Sequence, residues 1–276
     1  MSINKNLLTL FNESDYYSLK YKNYFPVYEK LFSKYRGKKI TFVEIGVLSG
    51  GSLFMWRNYF GKDARIIGVE LNPEAKRFEK DGFEIFIGNQ SDENFWKNFF
   101  EKIGKVDVIL DDGGHTNFQQ IVTSCSCIPF IKDNGMLVVE DVFHSYGVSY
   151  GASGFYNPSK YSFINFCKKT IDDVNYRFPE NKKFKFSLNK SVYSLEFFEA
   201  MVAFNIDKNL CKIENEVLYS KGKNIDVRDY THEHNSKVPG SNKFVIKLKK
   251  IFKKARSNFK YIVFKINESI SKKYFK

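Results

Sequence analysis

Residues 40–56 read Ile-Thr-Phe-Val-Glu-Ile-Gly-Val-Leu-Ser-Gly-Gly-Ser-Leu-Phe-Met-Trp. Ile40–Ile45 is a short β-branched and aromatic run of the kind that fills a buried strand. Gly46, Gly50 and Gly51 then break the run, and a helix is predicted over 51–60. Glycine at a strand-to-helix turn lets the backbone reverse sharply and approach a ligand closely. The N–H groups of the helix start would face that ligand, with Ser52 placed to cap the helix. The Gly-Lys-Ser/Thr of a phosphate-binding P-loop is missing. A tight turn with no ligand is the plain alternative for this stretch alone.

The alternation continues on the C-terminal side. Strands are predicted at Arg65–Glu70, Glu84–Ile87, Val106–Asp111 and Met136–Asp141, with helices near 73–80, 92–103 and 117–131 between them. Short apolar strands separated by helices predict an α/β fold, a parallel sheet with helices on both faces. Residues 142–159 read as a long loop rich in Gly, Ser and aromatics, a length uncommon unless functional. Its Tyr146, Tyr150, Phe155 and Tyr156 suit stacking on a ligand. A helix over 160–174 and a hairpin of Ser191–Phe198 with Ala200–Ile206 complete a domain at 39–207. Ahead of it, 1–38 is a helical extension, with Pro26 in a first turn and Tyr28, Leu31, Phe32 and Tyr35 at helical spacing. Behind it come a polar linker, 208–242, and a basic amphipathic tail, 243–276.

With 276 residues, 43% of them hydrophobic, the chain can bury one full core. Its cysteines, Cys125, Cys127, Cys167 and Cys211, form neither a disulfide framework nor a zinc pattern and read as buried thiols in a reducing cytoplasm. No secretory signal and no transmembrane stretch is expected. The net charge of +13 is concentrated at one end, where residues 243–276 hold twelve Lys or Arg against one acid, Glu268. The remainder is close to neutral, so nucleic acid is not the favoured partner. In the tail, Phe244, Leu248, Ile251, Phe252, Ala255 and Phe259 recur at helical spacing among Lys and Arg. That pattern predicts a helix lying peripherally on an anionic membrane surface. A helix packed on the catalytic domain, or on a second subunit of a homo-oligomer, is the alternative.

Chemistry-bearing residues fall at the predicted strand ends. Glu70 ends the second strand about twenty residues past the glycine turn, where a carboxylate can accept hydrogen bonds from both ribose hydroxyls of an adenosine cofactor. Gly88-Asn-Gln-Ser-Asp92 follows the third strand beside the adenine end of such a crevice, although Ser91 or Asp92 can also simply cap the next helix. The fourth strand ends in Asp111-Asp-Gly-Gly-His115 and the fifth in Glu140-Asp141. Adjacent parallel strands bring these acids together at their carboxyl ends. Such carboxylates repel one another unless a cation sits among them, and hard divalent cations prefer oxygen ligands. His115, on a glycine-flexed loop, can accept a proton near neutral pH. His144 can line the same pocket, whereas His232 and His234 read as residues of a solvated linker.

Together these stretches resemble the macrocin and mycinamicin sugar O-methyltransferases, a metal-dependent branch of the class I methyltransferases, over about residues 15–207. The specific pieces are Glu44–Trp56, Gly88–Asp92, Ile109–His115 and Glu140-Asp141. The resemblance implies a Rossmann-like sheet, mostly parallel with an antiparallel last strand, and S-adenosylmethionine and Mg²⁺ as cofactors. It implies transfer of a methyl group to a hydroxyl of a small carbohydrate or glycolipid acceptor. It further implies that Asp112, Glu140 and Asp141 hold Mg²⁺ and that His115 is the base. Glu44, Gly46, Ser52, Glu70, Gln90 and Asp111 would line the donor site. Two positions depart from the pattern: Asn89 stands where relatives often have Asp, and Gly114 where they often have Ser. An RNA-binding methyltransferase and a membrane-associated non-catalytic module are the competing classes.

Overall fold

Neighbouring residues in the predicted strands are apolar, and the sheet is accordingly buried on both faces. The computed structural model describes residues 5–146, 158, 160–177, 187–216, 218 and 220–222. Its strands are β1 (Thr41–Ile45), β2 (Arg65–Glu70), β3 (Glu84–Ile87), β4 (Val106–Asp111), β5 (Ile131–Val139), β6 (Val192–Phe198) and β7 (Met201–Ile206). They form one seven-stranded sheet in the order β3-β2-β1-β4-β5-β7-β6. Strands β1 to β5 pair in parallel, and β7 runs antiparallel between β5 and β6.

Helices α1 (Leu7–Asn12), α2 (Tyr24–Phe32) and α3 (Gly51–Phe60) cover one face. There Tyr28, Phe32, Trp56 and Phe60 pack with Phe42, Val108, Leu110 and Val138. Helices α4 (Glu93–Ile103), α5 (Asn117–Cys127) and α6 (Phe163–Asn175) cover the other. There Trp96, Phe99, Val122 and Phe163 pack with Val43, Ile109, Leu137 and Val139. The N-terminal helices are built into the first core. Glu29 accepts from the backbone N–H of Leu7 at 2.7 Å and from the Tyr59 hydroxyl at 2.8 Å, tying α1 and α3 to α2.

Several expected boundaries shift for local reasons. Helix α5 stops at Cys127 and residues 128–130 turn as a 3-10 helix, because Pro129 cannot continue the α-helical bonding. Strand β5 begins earlier than expected, with Ile131 paired to Val106, and ends at Val139. Glu140 and Asp141 therefore lie just past the strand, where Asp141 turns the chain with φ +56°. The first residues of the predicted loop, Val142–Tyr146, form a 3-10 turn. Ser52 does not cap α3: Gly50 takes that position in the left-handed conformation and the Ser52 hydroxyl turns to Glu44. Asp92 does cap α4. The chain divides into two compact units, Met1–Val217 and Leu218–Lys276. Most of the linker, the tail, His232, His234 and most of the 142–159 loop lie outside the described residues.

Candidate active site

The carboxyl ends of β1, β2, β4 and β5 open onto two neighbouring cavities that share Gly46. The glycines after β1 serve the protein's own packing. A Cβ on Gly46 would stand 2.0 Å from the Asp112 carbonyl oxygen, and one on Gly51 would stand 2.2 Å from that of Tyr16. The turn is thus clamped between the β4 loop and an N-terminal strap.

The smaller cavity, about 230 Å³, is lined by Val69, Glu70, Leu71, Gly88, Asn89, Gln90, Gly113 and Gly114 among others. Glu70 accepts main-chain N–H bonds from Val47, Leu48, Leu71 and Asn72 at 2.8–3.1 Å. Its partial burial opposes ionisation, but these bonds together outweigh it and hold the carboxyl below its ordinary range. Gln90 is a brace. Its amide nitrogen donates to Asp111 Oδ1 (3.0 Å) and Thr123 Oγ1 (3.1 Å), and its oxygen accepts from the Gly114 N–H (2.7 Å). Asp111 is 1% exposed and burial raises its pKa to about 6. Asn89 accepts from the N–H of Ser91 at 2.9 Å, a turn bond that an aspartate would make equally well. An ionised carboxylate, a loop amide and apolar walls at one strand-end crevice are a donor set that fits an adenosine ligand.

The larger cavity, about 410 Å³, is lined by Leu19, Lys20, Tyr21, Tyr24, Leu48, Asp112, His115, Glu140 and Asp141 among others. Asp112 faces it while Asp111 is turned inward, which separates the roles of the two neighbouring acids. Ligand atoms of Asp112, His115 and Asp141 lie within 4.8 Å of one another. His115 Nε2 is 3.3 Å from Asp141 Oδ2 and 3.9 Å from Asp112 Oδ1. Both His115 (φ +57°) and Asp141 (φ +56°) adopt left-handed backbone, a local strain that costs on the order of 1 kcal/mol each and points these side chains at one another. The His144 ring lies 5.6 Å from that of His115, and burial lowers its pKa, with His115 adding to the effect.

Glu140, the remaining expected metal ligand, is 1% exposed. It accepts from the Tyr28 hydroxyl and faces the Lys20 ammonium at 3.2 Å. Glu44 accepts from Ser52 (2.8 Å) and from the Trp56 indole (3.1 Å) and lies 3.6 Å from Lys20. Burial pushes Glu44 up to about 7, against the pull of Lys20. Burial and the Asp112 charge drive the Glu140 carboxyl well above its ordinary range. Burial and the acids hold Tyr28 as a neutral donor, and Tyr24, which donates to Asp141, is held likewise. Glu44, Asp112 and Glu140 thus crowd around one ammonium, with Asp141 beside Asp112 and His115. The shortage of positive charge and the oxygen donors fit a divalent cation.

Sequence reasoning missed Lys20, Tyr24 and Tyr28 as site residues. Tyr28 entered only as one member of a helical spacing, and Tyr24, four residues before it on the same face of α2, was not singled out. Lys20 gave no signal.

A mostly parallel sheet of this order, with an antiparallel strand inserted beside β5, is the fold of the class I methyltransferases. The MycE methyltransferase of the mycinamycin biosynthetic pathway, solved in complex with Mg, SAH and Mycinamycin VI, superposes with TM-score 0.65 at 21% identity, over 75% of this chain and 55% of that one. The relatives found by sequence are sugar O-methyltransferases. The 8-demethyl-8-(2-methoxy-alpha-L-rhamnosyl)-tetracenomycin-C 3'-O-methyltransferase of Streptomyces olivaceus is 30% identical over 158 residues, 55% of this chain and 40% of that protein. The L-olivosyl-oleandolide 3-O-methyltransferase of Streptomyces antibioticus is 31% identical over 157 residues, 54% of this chain and 40% of that protein. The chain therefore spans well under half the length of these relatives. No family model matches it.

Proposed function

We propose that this chain transfers a methyl group from S-adenosylmethionine to a hydroxyl of a sugar, carried on a glycoside, a nucleotide-sugar or a glycan or glycolipid precursor. The observation that carries the reading is the pair of adjoining cavities, one with adenosine-binding chemistry around Glu70 and one with carboxylates and His115. Bound S-adenosylmethionine supplies an electrophilic methyl, and a bound divalent cation lowers the pKa of the acceptor hydroxyl. Asp112, Glu140 and Asp141 would hold the cation. His115 would take the hydroxyl proton at Nε2, where Asp141, 3.3 Å away, would then accept a hydrogen bond from the new N–H. Glu70 accepts from the ribose, and Leu19 and Leu48 help keep water from the reacting atoms. In this reading the basic tail docks the enzyme on an anionic membrane surface, where a lipid-linked acceptor would be assembled.

Calorimetric titration with S-adenosylhomocysteine and with NAD tests the donor. Binding of S-adenosylhomocysteine alone is expected, and binding of NAD alone would overturn the assignment. Methylation of rhamnosyl glycosides should stop with EDTA and return with Mg²⁺. Turnover at the original rate in EDTA would give the carboxylates another role.

A further inference from the structure

We infer that Lys20 and a divalent cation are alternative occupants of the Asp112–Glu140 end of the carboxylate cluster, so that metal loading requires Lys20 to leave it. The inference rests on the metal-dependent reading above. The Lys20 side chain is 0% exposed. Its ammonium lies 2.5 Å from Asp112 Oδ2, 3.2 Å and 3.3 Å from the two Glu140 oxygens and 3.6 Å from Glu44 Oε1. An ammonium has three donors, and here each faces a carboxylate. A dication bound to Asp112 and Glu140 would need the same oxygens, and two cations at that spacing repel strongly in a dry site.

The segment that delivers Lys20 is built to pivot. Upstream it is pinned: Ser14 Oγ donates to the Gly51 carbonyl at 3.0 Å, the Gly51 N–H donates to the Tyr17 carbonyl at 3.3 Å, and the Tyr16 ring stacks on Phe54 at 4.8 Å. Downstream it enters α2 at Tyr24. Between these anchors Leu19 is 64% exposed and outside both core clusters, and Tyr21 is 55% exposed, its ring meeting Tyr24 and Phe143 edge-on at 5.4 Å and 5.9 Å. Lys20 can therefore swing out while both helices stay seated. In the metal-free protein it balances acids that would otherwise repel one another. On loading it gives up its place and, with it, part of the cavity wall.

The test uses the full chain. Lysines are acetylated with acetic anhydride in metal-free protein and at saturating Mg²⁺, and peptide mass spectrometry reads the labelling of Lys20. Calorimetry follows Mg²⁺ binding to the wild type and to Lys20→Met. The expected result is a Lys20 protected without metal and roughly tenfold more reactive with it, and a variant that binds Mg²⁺ roughly tenfold more tightly. Metal binding by the variant alone would also support the exchange. A Lys20 equally protected in both states while Mg²⁺ binds would overturn it, placing the cation on Asp112, His115 and Asp141 beside a fixed ammonium. Absence of Mg²⁺ binding in both proteins would overturn it too. The labelling arm needs no variant, so it decides even if Lys20→Met fails to fold. S-adenosylhomocysteine titration of the same samples separates failure of this exchange from failure of the methyltransferase reading.

Discussion

Glu70, proposed to hold the donor's ribose, also serves the fold. Its carboxylate gathers N–H groups from the turns after β1 and after β2. Glu70→Gln puts an amide NH₂ against some of those donors and should cost about 1–3 kcal/mol at pH 7. Because the folded pKa is depressed, the wild-type advantage is fully present above the unfolded value of about 4.3 and shrinks as pH falls through the folded value. Urea unfolding of both proteins at neutral and acid pH checks this, and a gap that stays constant would contradict it. His115→Ala should lower kcat by about 10²–10⁴-fold while leaving S-adenosylhomocysteine affinity nearly unchanged. An unaltered kcat and pH–rate profile would remove His115 from the reaction. At this scale the sequence exposes residues whose role is tied to a strand end, such as Glu70 and Asp112. It cannot expose Lys20, whose partners Asp112 and Glu140 stand 92 and 120 positions away and which sits in a mixed aromatic and polar run.

The elements themselves were largely legible. β2, β3 and β4 match their predicted ranges because each is a compact apolar run ending at an acid or a turn. β5 was mis-bounded because Lys132-Asp-Asn134 reads as a loop, although the strand runs on through it as an irregularity between the Ile131–Val106 and Met136–Val108 pairs, with Asn134 at φ +62°. Helix α5 shows why one departure from the family pattern suits this chain. Thr116 and Gln119 close a reciprocal capping box at its start. A Cβ on Gly114 would fall 2.1 Å from the Gln119 amide nitrogen. Gly114→Ser should therefore displace Gln119 and cost about 0.5–2 kcal/mol, the usual worth of a cap. In a Gln119→Ala background the same change should cost far less. Thermal unfolding of the single and double variants measures the coupling, and additive losses would show that the serine clashes with something else.

The whole molecule divides its charge unevenly, and its topology was readable where its basic tail was only a pattern. The alternation of strands and helices predicted the α/β sheet, but not the packing of the N-terminal helices into its core, since α2 reads as an ordinary amphipathic helix in isolation. If the tail docks on lipid, the full chain should co-sediment with anionic vesicles at low salt and a version ending at Gly240 should not. Each basic residue near the surface contributes about 1 kcal/mol, lost as salt rises. Equal supernatant fractions would leave the packed-helix reading standing. The insertion of β7 between β5 and β6 also imposes a timetable on synthesis. β5 leaves the ribosome with one edge unpaired, and its apolar Met136–Val139 run waits for a partner encoded after the whole of α6 and β6. At translation speeds of about 5–20 residues per second that interval lasts several seconds. During it the nascent sheet offers an open, sticky margin to other chains. A ribosome that stalls between α6 and β7 would release an aggregation-prone fragment, so the last strand of the sheet acts as a seal on the product's solubility as well as a wall of its fold.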